Sequence, residues 1–177
     1  MLFADVRGFT AISERMPLPA LRRFLNELFS AASEILIARE ALVDKFLGDA
    51  IMALFNAPIP SSRHREAALD AGLALLEAVE RLRLPFAIGI GVNAGTAMTG
   101  NVGGGEVTDY TAIGDTVNVA SRLSGLAGPG EILAAASVWE RAADRPTARA
   151  DRVELQVKGR AEPVRAYRLG RAAIEAR

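Results

Sequence analysis

The apolar positions along the chain change period several times, and each change marks an element. Residues 2–6 form a short apolar run that reads as a strand. Leu18, Leu21, Leu25, Leu28, Ala32 and Leu36 then recur at three- and four-residue steps, the spacing of an amphipathic helix. Ala41–Phe46 and Ile51–Phe55 are apolar segments on either side of Gly48-Asp49, which predicts a β-hairpin with a tight turn. Pro58-Ile-Pro-Ser-Ser62 breaks the chain, after which Leu69, Leu73, Leu76 and Val79 restore a helical period over His64–Leu82. Phe86–Ala97 reads as a buried strand. The order β-α-β-β-α-β predicts an α+β fold with a ferredoxin-like core, its helices over one face of an antiparallel sheet. Further elements are appended: a hairpin around Gly103-Gly-Gly105, a helix from about Asp115 to Leu126 capped by Asp115 or Thr116, a break at Gly128-Pro-Gly130, a short strand and helix, and strands near 151–158 and 163–169. Residues 171–177 are expected to be a frayed tail.

Composition narrows the class without naming a reaction. A chain of 177 residues, half of them hydrophobic, is expected to form a single domain over 1–177 with a sizeable core. The 21 basic and 21 acidic residues cancel, so no global field favours nucleic acid or an anionic membrane. Cysteine is absent, which excludes disulfides and thiol chemistry. No apolar run is long enough to cross a bilayer, and a cytoplasmic location fits best. Strand-like sequence starts directly at Met1-Leu-Phe-Ala, as in a short first strand or a piece of a longer protein.

Two carboxylates stand at informative places. Asp5, in Asp5-Val-Arg-Gly-Phe-Thr10, ends the first strand before a glycine turn, and Asp49 lies at the tip of the predicted hairpin. In a β-α-β-β-α-β sheet strands one and three are antiparallel neighbours, so the two residues are expected to converge. Oxygen ligands placed this way suit hard cations, and two ions about 3.5–4 Å apart would serve in-line chemistry at phosphorus. Each aspartate has an ordinary alternative, as a turn residue or a cap. Asn118 and Arg122 are four apart on the predicted helix, with Val117, Ala120 and Leu123 free to face the core. An amide suits a ribose oxygen and a guanidinium suits a phosphate gaining charge, although a solvated helix face has the same pattern.

These segments together resemble the catalytic domain of the class III adenylate and guanylate cyclases. The resemblance spans Phe3 to Leu169 and rests on Phe3-Ala-Asp-Val-Arg-Gly-Phe-Thr10, Lys45-Phe-Leu-Gly-Asp-Ala50, Tyr110-Thr-Ala-Ile-Gly-Asp-Thr-Val-Asn-Val-Ala-Ser-Arg-Leu123 and Val157-Lys-Gly159, in order. It implies that Asp5 and Asp49, with the Val6 carbonyl, hold two Mg²⁺ or Mn²⁺ ions. It further implies that the amides at Gly8, Phe9 and Thr10 receive phosphate oxygens, that Asn118 orients the ribose, that Arg122 stabilises the α-phosphate and that Lys158 contacts the terminal phosphates. Lys45 and Thr111 match the base-reading pair; a lysine donates toward adenine N1 and a threonine accepts from N6, so ATP is the implied substrate and cyclic AMP with pyrophosphate the product. The threonine also resembles a subgroup, class IIIb, some of whose members respond to bicarbonate; a flat rate on adding bicarbonate at fixed pH would count against that.

In this family the metal carboxylates come from one subunit, and the base-reading pair, the Asn and Arg and the phosphate lysine come from its partner. A head-to-tail C2 homodimer with two complete sites is therefore implied, with no nucleic-acid partner and no membrane contact from this segment. Two departures stand out. Many relatives carry a basic residue shortly before the Asp-Tyr-Thr segment, where this chain reads Gly103-Gly-Gly-Glu-Val-Thr108, and the family usually has residues ahead of the first strand. They motivate an alternative of another class, a regulatory nucleotide-binding dimer of the same fold with negligible turnover. His64, the only histidine, reads as a surface residue near a helix start, Trp139 as core, and Gly89-x-Gly91 as a weak match to a dinucleotide motif.

Overall fold

A computed structural model describes residues 1–104, 107–146 and 149–170; the expected tail and Gly105 of the glycine tip lie outside the described residues. The first half runs β1 (Leu2–Val6), α1 (Phe9–Arg15), α2 (Leu18–Ile37), β2 (Leu42–Leu47), β3 (Ala50–Leu54), α3 (His64–Leu82) and β4 (Ile88–Val92). Helical sequence divides at Met16-Pro17 because Pro17 (φ −56°, ψ 134°) is extended and caps α2, with Pro19 in the first helical turn where a missing N–H costs nothing. The second half adds β5 (Met98–Gly104), β6 (Val107–Ile113), α4 (Asp115–Leu126), β7 (Glu131–Ala135), α5 (Ala136–Trp139), β8 (Ala150–Leu155) and β9 (Val164–Leu169).

The sheet order is β2-β3-β1-β4-β7-β9-β8, with β5 and β6 paired separately. The ferredoxin-like core is present, and β1 lies between β3 and β4, antiparallel to both. The last three strands join the same sheet, and β4–β7 pair in parallel. Parallel neighbours require a crossover, and α4 supplies it. The core helices α2 and α3 cover one face as expected, and the appended α4 covers the other. Leu28, Leu36, Leu69 and Leu73 of α2 and α3 bury Leu2, Ala4, Ile51 and Ile90 on one face. Phe3, Met52 and Leu54 bury against Ala120 of α4 on the other. Alternation along β1 therefore puts Asp5 on the face of Phe3, the one α4 covers.

Gly89 and Gly91 allow that second layer. A Cβ on Gly91 would lie 2.2 Å from both the Ala120 carbonyl oxygen and the Ser124 nitrogen, so α4 rests directly on the strand backbone. The buried Ser124 hydroxyl donates to the Gly89 carbonyl at 3.1 Å. The glycine pair is a packing device. Two expectations need correction. The strand predicted to reach Ala97 ends at Val92; Asn93 still exchanges backbone hydrogen bonds with Met1, at 3.1 and 2.9 Å, while its side chain donates to the Thr116 carbonyl at 3.0 Å and accepts from Ser137 at 2.9 Å. Gly114, not a side chain, caps α4; Asp115 pairs with Arg160, and the Thr116 hydroxyl donates to the Thr96 carbonyl at 2.7 Å.

Candidate active site

Strand register builds the first part of the site. Asp5 pairs across β1–β3 with Ala50, which brings the hairpin-tip Asp49 beside it. Gly48, at φ 66°, takes the left-handed conformation that this tight turn requires. The Asp49 carboxyl is pushed up to about 6 by burial, by its hydrogen bond to Asp5 and by the charge of Asp5, against the pull of the Asp49 and Val6 N–H groups. Two hard oxygen donors whose negative charges oppose one another suit a divalent cation. Among the described residues no group of three or more His, Cys, Asp or Glu could hold a metal, so the side chains supply two ligands and leave positions for a backbone carbonyl, water or substrate oxygens. Arg7 fixes Asp5. Its guanidinium pairs with the Asp5 carboxylate and donates to the carbonyls of Gly125 (3.3 Å) and Ala127 (3.2 Å), tying the end of β1 to the end of α4.

Gly8, at φ 70°, turns the chain from β1 into α1, and the first intrahelical bond is Ile12 N–H to Gly8 O at 3.2 Å. The amides of Phe9 and Thr10 are thus among those a helix start leaves without intrahelical acceptors.

A second cluster joins residues far apart in the chain. Lys45 on β2 pairs with Asp109 on β6, and the Thr111 hydroxyl donates to Asp44 Oδ2 at 2.7 Å. Lys45 Nζ also lies 3.8 Å from Asp44 Oδ2. The bond to Asp109 and the charges of Asp44 and Asp109 hold the Lys45 ammonium above the usual lysine range, partial burial opposing them. Lys45 and Thr111 therefore converge on Asp44.

The third group lies on α4 and after β8. Ala120 and Leu123 are buried while Asn118 is exposed and Arg122 half-buried, as the helical spacing predicts. The Arg122 guanidinium packs against Gly159, where a Cβ would lie 3.4 Å from its Nη2; Lys158 precedes that glycine. Among the described residues, Arg122 and Lys158 make no ion pair and Asn118 no side-chain hydrogen bond, whereas neighbouring Arg160 is paired. No hydrogen bond or ion pair among the described residues joins the Asp5–Asp49 pair to the other two groups. A cavity of about 260 Å³ lined by Phe55, His64, Asn93, Thr96 and Thr116 contains none of the predicted residues.

The sequence profile of the Adenylate and Guanylate cyclase catalytic domain matches residues 1–170. The chain belongs to that family. Relatives include "Adenylate cyclase 1" of Rhizobium meliloti, 37% identical over 123 residues covering 65% of this chain and 18% of that protein. "Adenylate cyclase" of Anabaena cylindrica is 33% identical over 127 residues, covering 65% of this chain and 24% of the relative. The cyclase domain thus spans about a fifth of the length of these curated relatives. Among solved structures, the guanylyl cyclase Cya2 superposes with a TM-score of 0.90 at 28% identity, covering 95% of this chain and 89% of that one. The adenylyl cyclase CyaB from P. aeruginosa gives 0.89 at 32% identity, covering 95% and 91%. Both nucleotide types thus occur among the neighbours. No helix among the described residues is long and apolar enough to cross a membrane.

Sequence reasoning missed three residues of these clusters: Arg7, Asp44 and Asp109. Asp109 had a readable signal, since it shares a strand face with Thr111 by the two-residue period. Asp44 and Lys45 are adjacent, which in a regular strand sends them to opposite faces, so their meeting was not visible. Arg7 carried no sequence signal of its own, because besides Asp5 its partners are backbone carbonyls more than a hundred positions away.

Proposed function

We propose that residues 1–177 form one catalytic domain that converts ATP to 3′,5′-cyclic AMP and pyrophosphate, at sites shared across a head-to-tail C2 homodimer in the cytoplasm. The observation that carries the choice of ATP is that Lys45 and Thr111 both reach Asp44 Oδ2, at 3.8 and 2.7 Å, which puts an ammonium donor and a hydroxyl in one cluster. Adenine presents an acceptor at N1 and a donor at N6; guanine presents the reverse.

Asp5, Asp49 and the Val6 carbonyl would hold two Mg²⁺ or Mn²⁺ ions, which when bound favour ionisation of the ribose 3′-hydroxyl and neutralise charge on the phosphates. This chain's own groups do the positioning. Lys45 donates to adenine N1 and Thr111 accepts from N6. Asn118 holds the ribose so that the 3′-oxygen faces the α-phosphorus in line with the departing pyrophosphate. Arg122 faces the charge that accumulates on the α-phosphate, and Lys158 with the amides at Gly8, Phe9 and Thr10 grips the terminal phosphates. Phosphate would supply the counter-charge that Arg122 and Lys158 lack among the described residues.

Support for the dimer comes from the exposed apolar side chains Phe46, Leu47, Met98, Val102 and Ile113 on the two hairpins. A second copy would cover them. Asp49→Ala and Arg122→Ala subunits should each be inactive alone. Mixed in equal amounts they should recover about a quarter of wild-type activity, because half the dimers are mixed and each has one intact site of two. No recovery would refute the shared site. The Gly103–Thr108 segment, with glutamate where relatives carry a base, favours a second reading: a nucleotide-binding dimer with negligible turnover.

A further inference from the structure

Asp44 is a buried carboxylate to which the reaction above gives no task. In β2 the register shifts between Val43, which pairs with Ala53, and Lys45, which pairs with Met52, so Asp44 is the extra residue of a bulge. Bulges re-aim side chains, and this one leaves Asp44 Oδ2 3.8 Å from the Lys45 ammonium. The Asp44 side chain has no exposed surface. Its Oδ2 accepts the Thr111 hydroxyl proton at 2.7 Å, and its Oδ1 is buried without a partner among the described residues.

A hydroxyl has one proton and two lone pairs, and what it offers a ligand depends on where the proton is spent. A lone threonine rotates and serves a donor or an acceptor equally well. Here the carboxylate takes the proton, with the Lys45 ammonium as its counter-charge. Only lone pairs remain for a ligand.

We propose, resting on the adenylate cyclase reading above, that Asp44 is the positioning residue that sets base specificity: by binding the Thr111 hydroxyl proton it makes Thr111 an acceptor only, so that the pocket admits purines with an N–H at C6 and rejects those with an oxygen there. The unpartnered Oδ1 adds negative potential of the same sign. Thr111 reads the base, and Asp44 decides what Thr111 can read.

The test uses two triphosphates that differ at one atom, N6-methyl-ATP and 6-methoxypurine riboside triphosphate. Both keep N1 as an acceptor for Lys45 and both carry one methyl, so only the N–H against the ether oxygen changes. Wild type should use the N6-methyl compound at least about tenfold better by kcat/KM, because the ether oxygen would face a lone pair. Asp44→Ala frees the hydroxyl proton and should bring that ratio at least about threefold nearer to one, whereas a merely structural role would slow both substrates equally and leave the ratio unchanged. In Thr111→Val the ratio should already be near one, and adding Asp44→Ala should not move it. A wild-type ratio near one, or an unchanged ratio in Asp44→Ala, overturns the proposal. If Asp44→Ala does not fold, the wild-type and Thr111→Val ratios carry the test. ATP and GTP are run alongside: cyclic GMP from GTP, or no product, means that the adenylate cyclase reading has failed. Equilibrium dialysis of the two analogues then reads the hydroxyl's polarity independently, with a binding ratio near one again overturning the role of Asp44 and a retained preference upholding it.

Discussion

Replacing Asp49 by asparagine should make the metal-free protein more stable, although the residue is proposed to be essential. The Asp49 carboxyl is raised from 3.8 to about 6, first by burial and then by its hydrogen bond to Asp5 and the Asp5 charge. A folded-state value above the unfolded one means that the protonated form is favoured by the fold. The contribution is fully present below pH 3.8 and is lost as pH rises through about 6. A shift of that size corresponds to at most about 3 kcal/mol. Asp49 is only half-buried, and solvent screening reduces this to on the order of 1 kcal/mol. Asparagine keeps an oxygen for the Val6 N–H and removes the repulsion. In chelator at pH 8, Asp49→Asn should therefore exceed wild type by on the order of 1 kcal/mol in urea denaturation, or about 2–4 °C in Tm. The advantage should fade as pH falls below 6. Adding Mn²⁺ should reverse the order, since wild type gains about 2.7 kcal/mol at a hundred times its dissociation constant and the variant gains little. A variant less stable than wild type in chelator at pH 8, or one that keeps the wild-type response to Mn²⁺, would refute the reasoning.

Gly91→Ala should destabilise the fold by at least about 3 kcal/mol, read in urea, because its Cβ would meet α4 backbone, which no rotamer change can move. Gly125→Ala, with nothing within 4 Å of the added atom, is the control and should cost little. Arg122→Ala should lower kcat by about a hundredfold or more with a smaller change in KM, as for a group that meets charge formed in the transition state; an effect confined to KM would assign it to ground-state binding.

Much of the fold could be read from period alone. The helical spacing of Leu18 to Leu36 and of Leu69 to Val79, and the Gly48-Asp49 tip between apolar runs, correspond to α2, α3 and the β2–β3 hairpin. The convergence of Asp5 and Asp49 followed from topology, since order β2-β3-β1-β4 makes their strands neighbours. The position of α4 could not be read this way. Ala120 and Leu123 announce a buried helix face but not which face of the sheet receives it, and the deciding feature is the absence of side chains at Gly89 and Gly91. The site was half legible for a similar reason. Lys45 and Thr111 came from motif resemblance, whereas the bulge at Asp44 leaves no mark in a hydrophobic pattern, because one inserted residue in a short strand looks like irregular alternation. The caps expected of Asp115 and Thr116 failed because both side chains found tertiary partners, Arg160 and the Thr96 carbonyl.

The central claim is that this cyclase domain makes cyclic AMP with metal held by Asp5 and Asp49. The direct measurement is chromatographic quantitation of cyclic nucleotide after incubating the purified chain with ATP, and separately with GTP, in Mg²⁺ and in Mn²⁺, beside Asp5→Ala. Cyclic AMP from wild type alone, with little cyclic GMP, is the expected result. Cyclic GMP as the main product would contradict the base assignment, and no product in any condition from a protein shown to be dimeric would contradict the account as a whole.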